Sequence, residues 1–155
     1  MGDAAVEFPS STIMVAEMVD NLQCLNGQSL GTGIRNSSHR STNAATLDAA
    51  NTQQYLGEQN DVRASPLFAL NANQVRPLFD ACRTNPNGGY PLITYISPVR
   101  HSGGSNYTFA DGSAKWFRFE QTVQPNNYRW GAVMYSSASR QRLIDPISGL
   151  PVQQN

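Results

Sequence analysis

Charge is what this chain has least of. Charged side chains make up 14% of its 155 residues, against about 25% in an ordinary soluble domain. The 11 basic and 11 acidic groups cancel, so there is no electrostatic footprint for nucleic acid or for an anionic membrane. Lysine is nearly missing: Lys115 stands alone beside ten arginines. Two histidines, His39 and His101, and two cysteines, Cys24 and Cys82, are all the imidazole and thiol groups the chain has. No apolar run nears the ~20 residues of a membrane helix. Met1-Gly2-Asp3-Ala4 has neither the basic nor the apolar region of a signal peptide. It reads as a start added to a chain that begins inside a longer protein, or as a natural start.

Amides take the place of charge, with 14 Asn and 11 Gln. Such a surface is polar without being highly charged and suits an exported module. The length fits one domain, 1–155, that can bury its own core. Cys24 and Cys82 lie 58 residues apart and fit no zinc spacing. They are either one disulfide, stabilising the fold by about 4 kcal/mol in the loop-closure model, or two separate buried thiols.

Thr12-Ile13-Met14-Val15-Ala16 is a short apolar run with β-branched residues, which predicts a buried central strand. Residues 21–63 are poor in large apolar groups. They predict a long excursion, punctuated by Gly27, Gly31 and Gly33, with one short helix within 43–55. Ser65-Pro66 can open a helical turn. Val75, Leu78, Phe79 and Cys82 recur as one helix face. Pro77 fits only a first turn, so that helix is expected to begin near Asn73 or later. Leu92 to Val99 predicts a strand stopped by Pro98. Asn127 to Ser137 is aromatic-rich, a last strand or a docking strap. The residues from 137 onward, broken by Pro146, Gly149 and Pro151, predict an irregular tail.

The clearest local signal is Asp111-Gly112 between two alternating segments, a hairpin dipeptide. A two-residue turn would pair Phe109 with Ala114 and Tyr107 with Trp116. Tyr107, Phe109 and Trp116 would then share the inner face. Together these elements predict an α+β fold: an antiparallel β-sheet holding the DG-turn hairpin, one short helix and long irregular loops.

Nine residues separate His101 from Asp111-Gly112, in the run Arg100-His101-Ser102-Gly103-Gly104-Ser105-Asn106-Tyr107-Thr108-Phe109-Ala110-Asp111-Gly112-Ser113-Ala114-Lys115-Trp116. This stretch resembles the H-X9-DG domain of prepilin-type proteins. Pro9 to Glu17 resembles that family's Pro-Ser-x-Thr strand ending in Glu. Tyr128-Arg129-Trp130-Gly131 with Met134-Tyr135 resembles a segment that follows the motif. The resemblance implies a type IV pilin-like globular domain, here the C-terminal portion, whose full-length protein carries a leader and an apolar N-terminal anchoring helix. It implies a non-enzymatic pseudopilin-like head in a type II secretion or type IV pilus-like assembly. Its partners would be other pilin or pseudopilin subunits, with self-assembly, at the cell surface, outside the cell or in the periplasm. This segment itself would touch neither membrane nor nucleic acid.

His101 and Asp111 tempt one to a metal pair or catalytic dyad. A strand rises about 3.3 Å per residue, so Ser105 to Ala110 should hold them near opposite ends. Structural roles are expected instead. Asp111 and Gly112 build the turn, His101 anchors the preceding loop by a side-chain hydrogen bond, and Gly103 and Gly104 permit its bend. No nucleophile elbow, P-loop or HExxH motif exists, so no enzyme is expected; Ser102 beside His101 is adjacency only. Calcium is the one cofactor to weigh, with Asp111, Asp145 and Asn126 as oxygen-bearing candidates. The six to eight oxygens it needs are not in view, and no cofactor is expected. Trp116, Trp130, Tyr128 and Tyr135 are either core or an aromatic strip that binds glycan; an extracellular glycan- or calcium-binding module is the alternative function.

Overall fold

A computed structural model describes residues 6–20, 44–50, 66–85, 92–135 and 140–155. Cys24, the three early glycines, Ser65, and residues 43 and 51–55 of the expected helix lie outside the described residues; the described part of that span, 44–50, is a short strand followed by a turn, not a helix. The fold is α+β; among the described residues it is made of several small antiparallel sheets and two α-helices. Its main sheet has three strands in the order β1-β4-β5: β1 is Ile13–Ala16, β4 Ser105–Phe109 and β5 Ala114–Phe117.

β1 is therefore an outer strand, not the central one its apolar run suggests. Ile13 is buried, but Met14 and Val15 are 63% and 61% exposed. An irregularity between Ile13 and Val15 in the pairing with β4 turns both outward. Its far side is tied to loops rather than to a strand. The Ile13 N–H donates to the Arg129 carbonyl at 2.7 Å, and the Ser97 N–H to the Glu17 carbonyl at 2.7 Å.

The β4–β5 hairpin exists, one residue out of the expected register. Tyr107 pairs with Lys115, and Asn106 with Trp116. The cause is a three-residue loop. Gly112 N–H donates to the Phe109 carbonyl at 2.9 Å, and Phe109 N–H to the Ser113 carbonyl at 2.8 Å. Gly112 sits at φ +84°, which makes this a type I turn closed by a left-handed glycine. A slip of one exchanges faces. Tyr107 and Phe109 stay buried, while Trp116 moves to the outer face at 43% exposure.

Helix α1, Ala72–Thr84, starts earlier than Pro77 suggests. Asn71 caps it, its side chain accepting from the Asn73 N–H at 2.9 Å. Pro77 thus lies in the second turn. Burial of Val75, Phe79 and Cys82 on one face offsets the proline, at about 1.5–3 kcal/mol for each large apolar side chain. Leu92–Tyr95 is a 3-10 helix, not a strand. Only Ile96 makes a β-bridge, to Met18. Residues 93–96 are all buried, so no one-sided face marks their secondary structure.

The remaining elements are two-stranded. β2 (Ala45–Thr46) pairs with β3 (Phe68–Ala69). β6 (Val123–Gln124) pairs with β7 (Asn127–Tyr128) after the short helix α2 (Phe119–Thr122). β8 (Val133–Tyr135) pairs with β9 (Arg140–Arg142). The last residues are not an irregular appendage. Leu143 and Val152 are fully buried, and Val152 N–H donates to the Leu143 carbonyl at 2.9 Å. One aromatic core joins the parts. Phe79 meets Phe119 edge-on at 5.1 Å, and Tyr107 meets Trp130 edge-on at 6.0 Å.

Candidate functional site

The H-X9-DG residues fall at the two ends of β4 and do not touch. Asp111 at the tip accepts from Ser113 twice, from its N–H at 2.9 Å and its hydroxyl at 2.7 Å. These bonds from Ser113 hold its carboxyl below the usual aspartate range. The tip is docked on the segment before β1. Ala110 N–H donates to the Thr12 carbonyl at 2.9 Å, and Asp111 N–H to the Pro9 carbonyl at 3.1 Å. Lys115 crosses the Phe109 ring, 4.8 Å from its centroid, to donate to the Ser10 carbonyl at 3.1 Å.

At the other end, His101 and Gly104 exchange backbone hydrogen bonds of 2.8 and 3.1 Å around Ser102 (φ +51°) and Gly103 (φ +85°). Two successive positive φ values define a tight turn that suits Gly103 and strains Ser102. Gly104 has a different task. A Cβ there would lie 2.5 Å from the Phe117 carbonyl oxygen and 2.6 Å from the Trp116 ring. The indole thus rests on Gly104, and its N–H donates to the His101 carbonyl at 2.8 Å.

His101 anchors this turn through Glu17, at the end of β1. Nε2 stands 2.8 Å from Glu17 Oε1, and Oε2 accepts the Asn106 N–H at 2.8 Å. The Asn106 N–H first, and after it the imidazole, hold the Glu17 carboxyl below the usual glutamate range against the desolvation that opposes them. A carboxylate only accepts, so Nε2 carries the proton. An exposed pair of this kind contributes about 0.2–1 kcal/mol. Its structural effect is to tie three segments together: the β1 end, the 101–104 turn and the start of β4. Arg100 adds a bond to the Met18 carbonyl at 3.0 Å.

Sequence reasoning missed Glu17 and Trp116 as members of this cluster. Glu17 lies 84 residues from His101, and no spacing rule connects them. Its only signal is its place at the end of the Pro9–Glu17 stretch.

Cys82 is disulfide-bonded; Cys24, the only other cysteine of the chain, lies outside the described residues. Among the oxygen-bearing candidates, Asp145 is engaged by its own turn. Burial raises its carboxyl, but the Ser148 hydroxyl and N–H, with the Ile147 N–H, outweigh this and leave it below the usual range. Asn126 gives its backbone carbonyl to the Asn155 side chain at 3.1 Å. Among the described residues no group of three or more His, Cys, Asp or Glu gathers. The aromatic strip does not form as a surface. Tyr128 is fully buried, with its hydroxyl on the Ala44 carbonyl and the Leu70 N–H, and Trp130 is buried against Thr122. Trp116 alone of the two tryptophans is exposed.

Among protein-family models, curated proteins and solved structures, no match to this chain is found.

Proposed function

We propose that this chain is the non-enzymatic, exported globular head of a pseudopilin-like protein, which packs against like subunits in a type II secretion or type IV pilus-like assembly at the cell surface or in the periplasm. The observation that carries this reading is where the apolar and aromatic side chains lie. Tyr128 and Trp130, which a glycan groove would need, are in the core. Exposed apolar groups collect instead along the outer sheet and its rim, at Met14, Val15, Met18 and Trp116, and on one loop tip at Ile147 and Leu150. Apolar patches rimmed by polar residues are what protein contacts use.

Two further observations support it. The three stretches that resemble the prepilin-type family converge in space. Pro9 and Thr12 hold the DG tip, Glu17 holds His101, and Arg129 accepts from Ile13 while its guanidinium lies 4.5 Å from the Phe117 ring centre. The bonded Cys82 suits an oxidising compartment.

The test is the coding sequence upstream of Asp3. A basic leader, a prepilin cleavage site and an apolar stem are expected there. Their absence, together with expression in the cytosol in reduced form, refutes the reading.

A further inference from the structure

The outer edge of β5 carries unpaired main-chain groups among the described residues. The Phe109–Ser113 hydrogen bond and the β4–β5 register fix the alternation of the ladder. Lys115 and Phe117 bond inward to β4, so the N–H and C=O of Ala114 and Trp116 point off the free edge. The even-numbered residues of β4 obey the same alternation on its other side, where Asn106 and Ala110 donate toward β1 and the segment before it. No strand among the described residues pairs with that edge, and Ala114, Lys115 and Trp116 are exposed. The edge is bounded at both ends. Gly112 N–H is taken by the Phe109 carbonyl, and Arg118 N–H and C=O are both taken by Gln121. Neither bulky side chain covers it. The Trp116 indole leans inward over Gly104, and the Lys115 amine is drawn back to Ser10.

We infer that β5 is an interface for a second copy of this chain, joined edge to edge and antiparallel about a two-fold axis at Lys115. The inference rests on the proposed assembly of like subunits and names the surface used. The occupant follows from the edge itself. Its open groups belong to two residues flanking one, so two copies in this register satisfy all of them with four hydrogen bonds. Trp116 of each copy then stands opposite the small Ala114 of the other. The two Lys115 residues face each other at the axis, which weakens the pairing, but their amines are already turned away.

Sedimentation of the full chain over a concentration series is expected to show a monomer–dimer equilibrium. Ala114→Pro removes an N–H that β4 does not use. It is expected to keep the monomer's circular dichroism and to weaken pairing about tenfold, because two of the four bonds are lost. Lys115→Cys places two thiols about 4.5 Å apart at Cα across the axis, and is expected to give a covalent dimer on oxidation. A wild type that stays monomeric, or a Lys115→Cys chain that gives no covalent dimer, overturns the inference. So does an Ala114→Pro chain that folds and pairs like the wild type. None of these outcomes decides the exported-head reading, which the upstream coding sequence and the redox state of the expressed chain test separately.

Discussion

Gly103 and Gly104 are adjacent, and both read from sequence as permitting a bend. The structure separates them. Gly103 has φ +85° and open space where a Cβ would stand, whereas Gly104 has ordinary backbone angles and no room. Gly103→Ala therefore costs only left-handed strain, about 1–2 kcal/mol. Gly104→Ala drives a methyl group nearly an ångström inside ordinary contact with the Phe117 carbonyl and the Trp116 ring. The indole can swing, but the Phe117 carbonyl belongs to β5, whose ladder holds it against β4. Overpacking of this kind costs about 1–3 kcal/mol. For a chain of this length, about 2 kcal/mol lowers the melting temperature by about 4–8 °C. Adding Trp116→Ala removes the ring contacts and leaves the backbone one, so the double variant should recover part of the loss. Thermal melts of the two single variants and the pair measure this directly. If Gly104→Ala melts within a degree of wild type, or if Trp116→Ala restores nothing, then the indole does not rest on Gly104 and the account of the 101–104 turn is wrong.

Three other perturbations probe the rest of the structure. Glu17→Gln should cost about 0.2–1 kcal/mol near neutral pH. It should also flatten the acid limb of the stability curve: with a folded pKa below the usual glutamate value, Glu17 contributes stability above the unfolded value of about 4.3 that is lost as pH falls through the folded one. An unchanged urea midpoint profile between pH 2 and 5, on the order of the range where glutamate titrates, contradicts this. Replacing both cysteines by serine should lower stability by about 4 kcal/mol, read as a drop in denaturant midpoint that reductant no longer enlarges. Tyr128→Phe removes a buried hydroxyl that accepts from the Leu70 N–H and donates to the Ala44 carbonyl, but those two groups also bond each other at 2.9 Å, so the change should cost only about 0.5–1.5 kcal/mol; a loss above about 3 kcal/mol by chemical denaturation would mean that the direct bond does not hold without the hydroxyl.

What was legible in the sequence was local and periodic. The α1 face of Val75, Phe79 and Cys82 repeats at helix spacing and is buried as that spacing requires. The hairpin existed where Asp111-Gly112 placed it. Its register was not legible, because the same dipeptide closes both a two-residue and a three-residue loop. Here Ser113 offers the Asp111 carboxylate an N–H and a hydroxyl, which favours the longer loop. That single bond pattern decides which face Trp116 occupies. Apolar runs without alternation misled in both directions: Met14-Val15 is exposed at a strand irregularity, and residues 93–96 are buried without being a strand. Neither outcome is written in hydrophobicity, since each depends on what packs from a distance.

The Glu17–His101 contact belongs to the same class. Spacing within the H-X9-DG run told only that His101 and Asp111 must stand apart, as β4 indeed holds them. It said nothing of which residue the imidazole would meet, because antiparallel pairing brings β1 beside β4 across most of the chain. Once that pairing is known the partner follows. Ala16 lies opposite Tyr107, so Glu17 falls beside Asn106, where its carboxylate takes the outward N–H and reaches the imidazole of the turn just before β4. The histidine, the glycine under the indole and the glutamate are therefore one device for ending a sheet, and the aspartate and glycine at the tip are another.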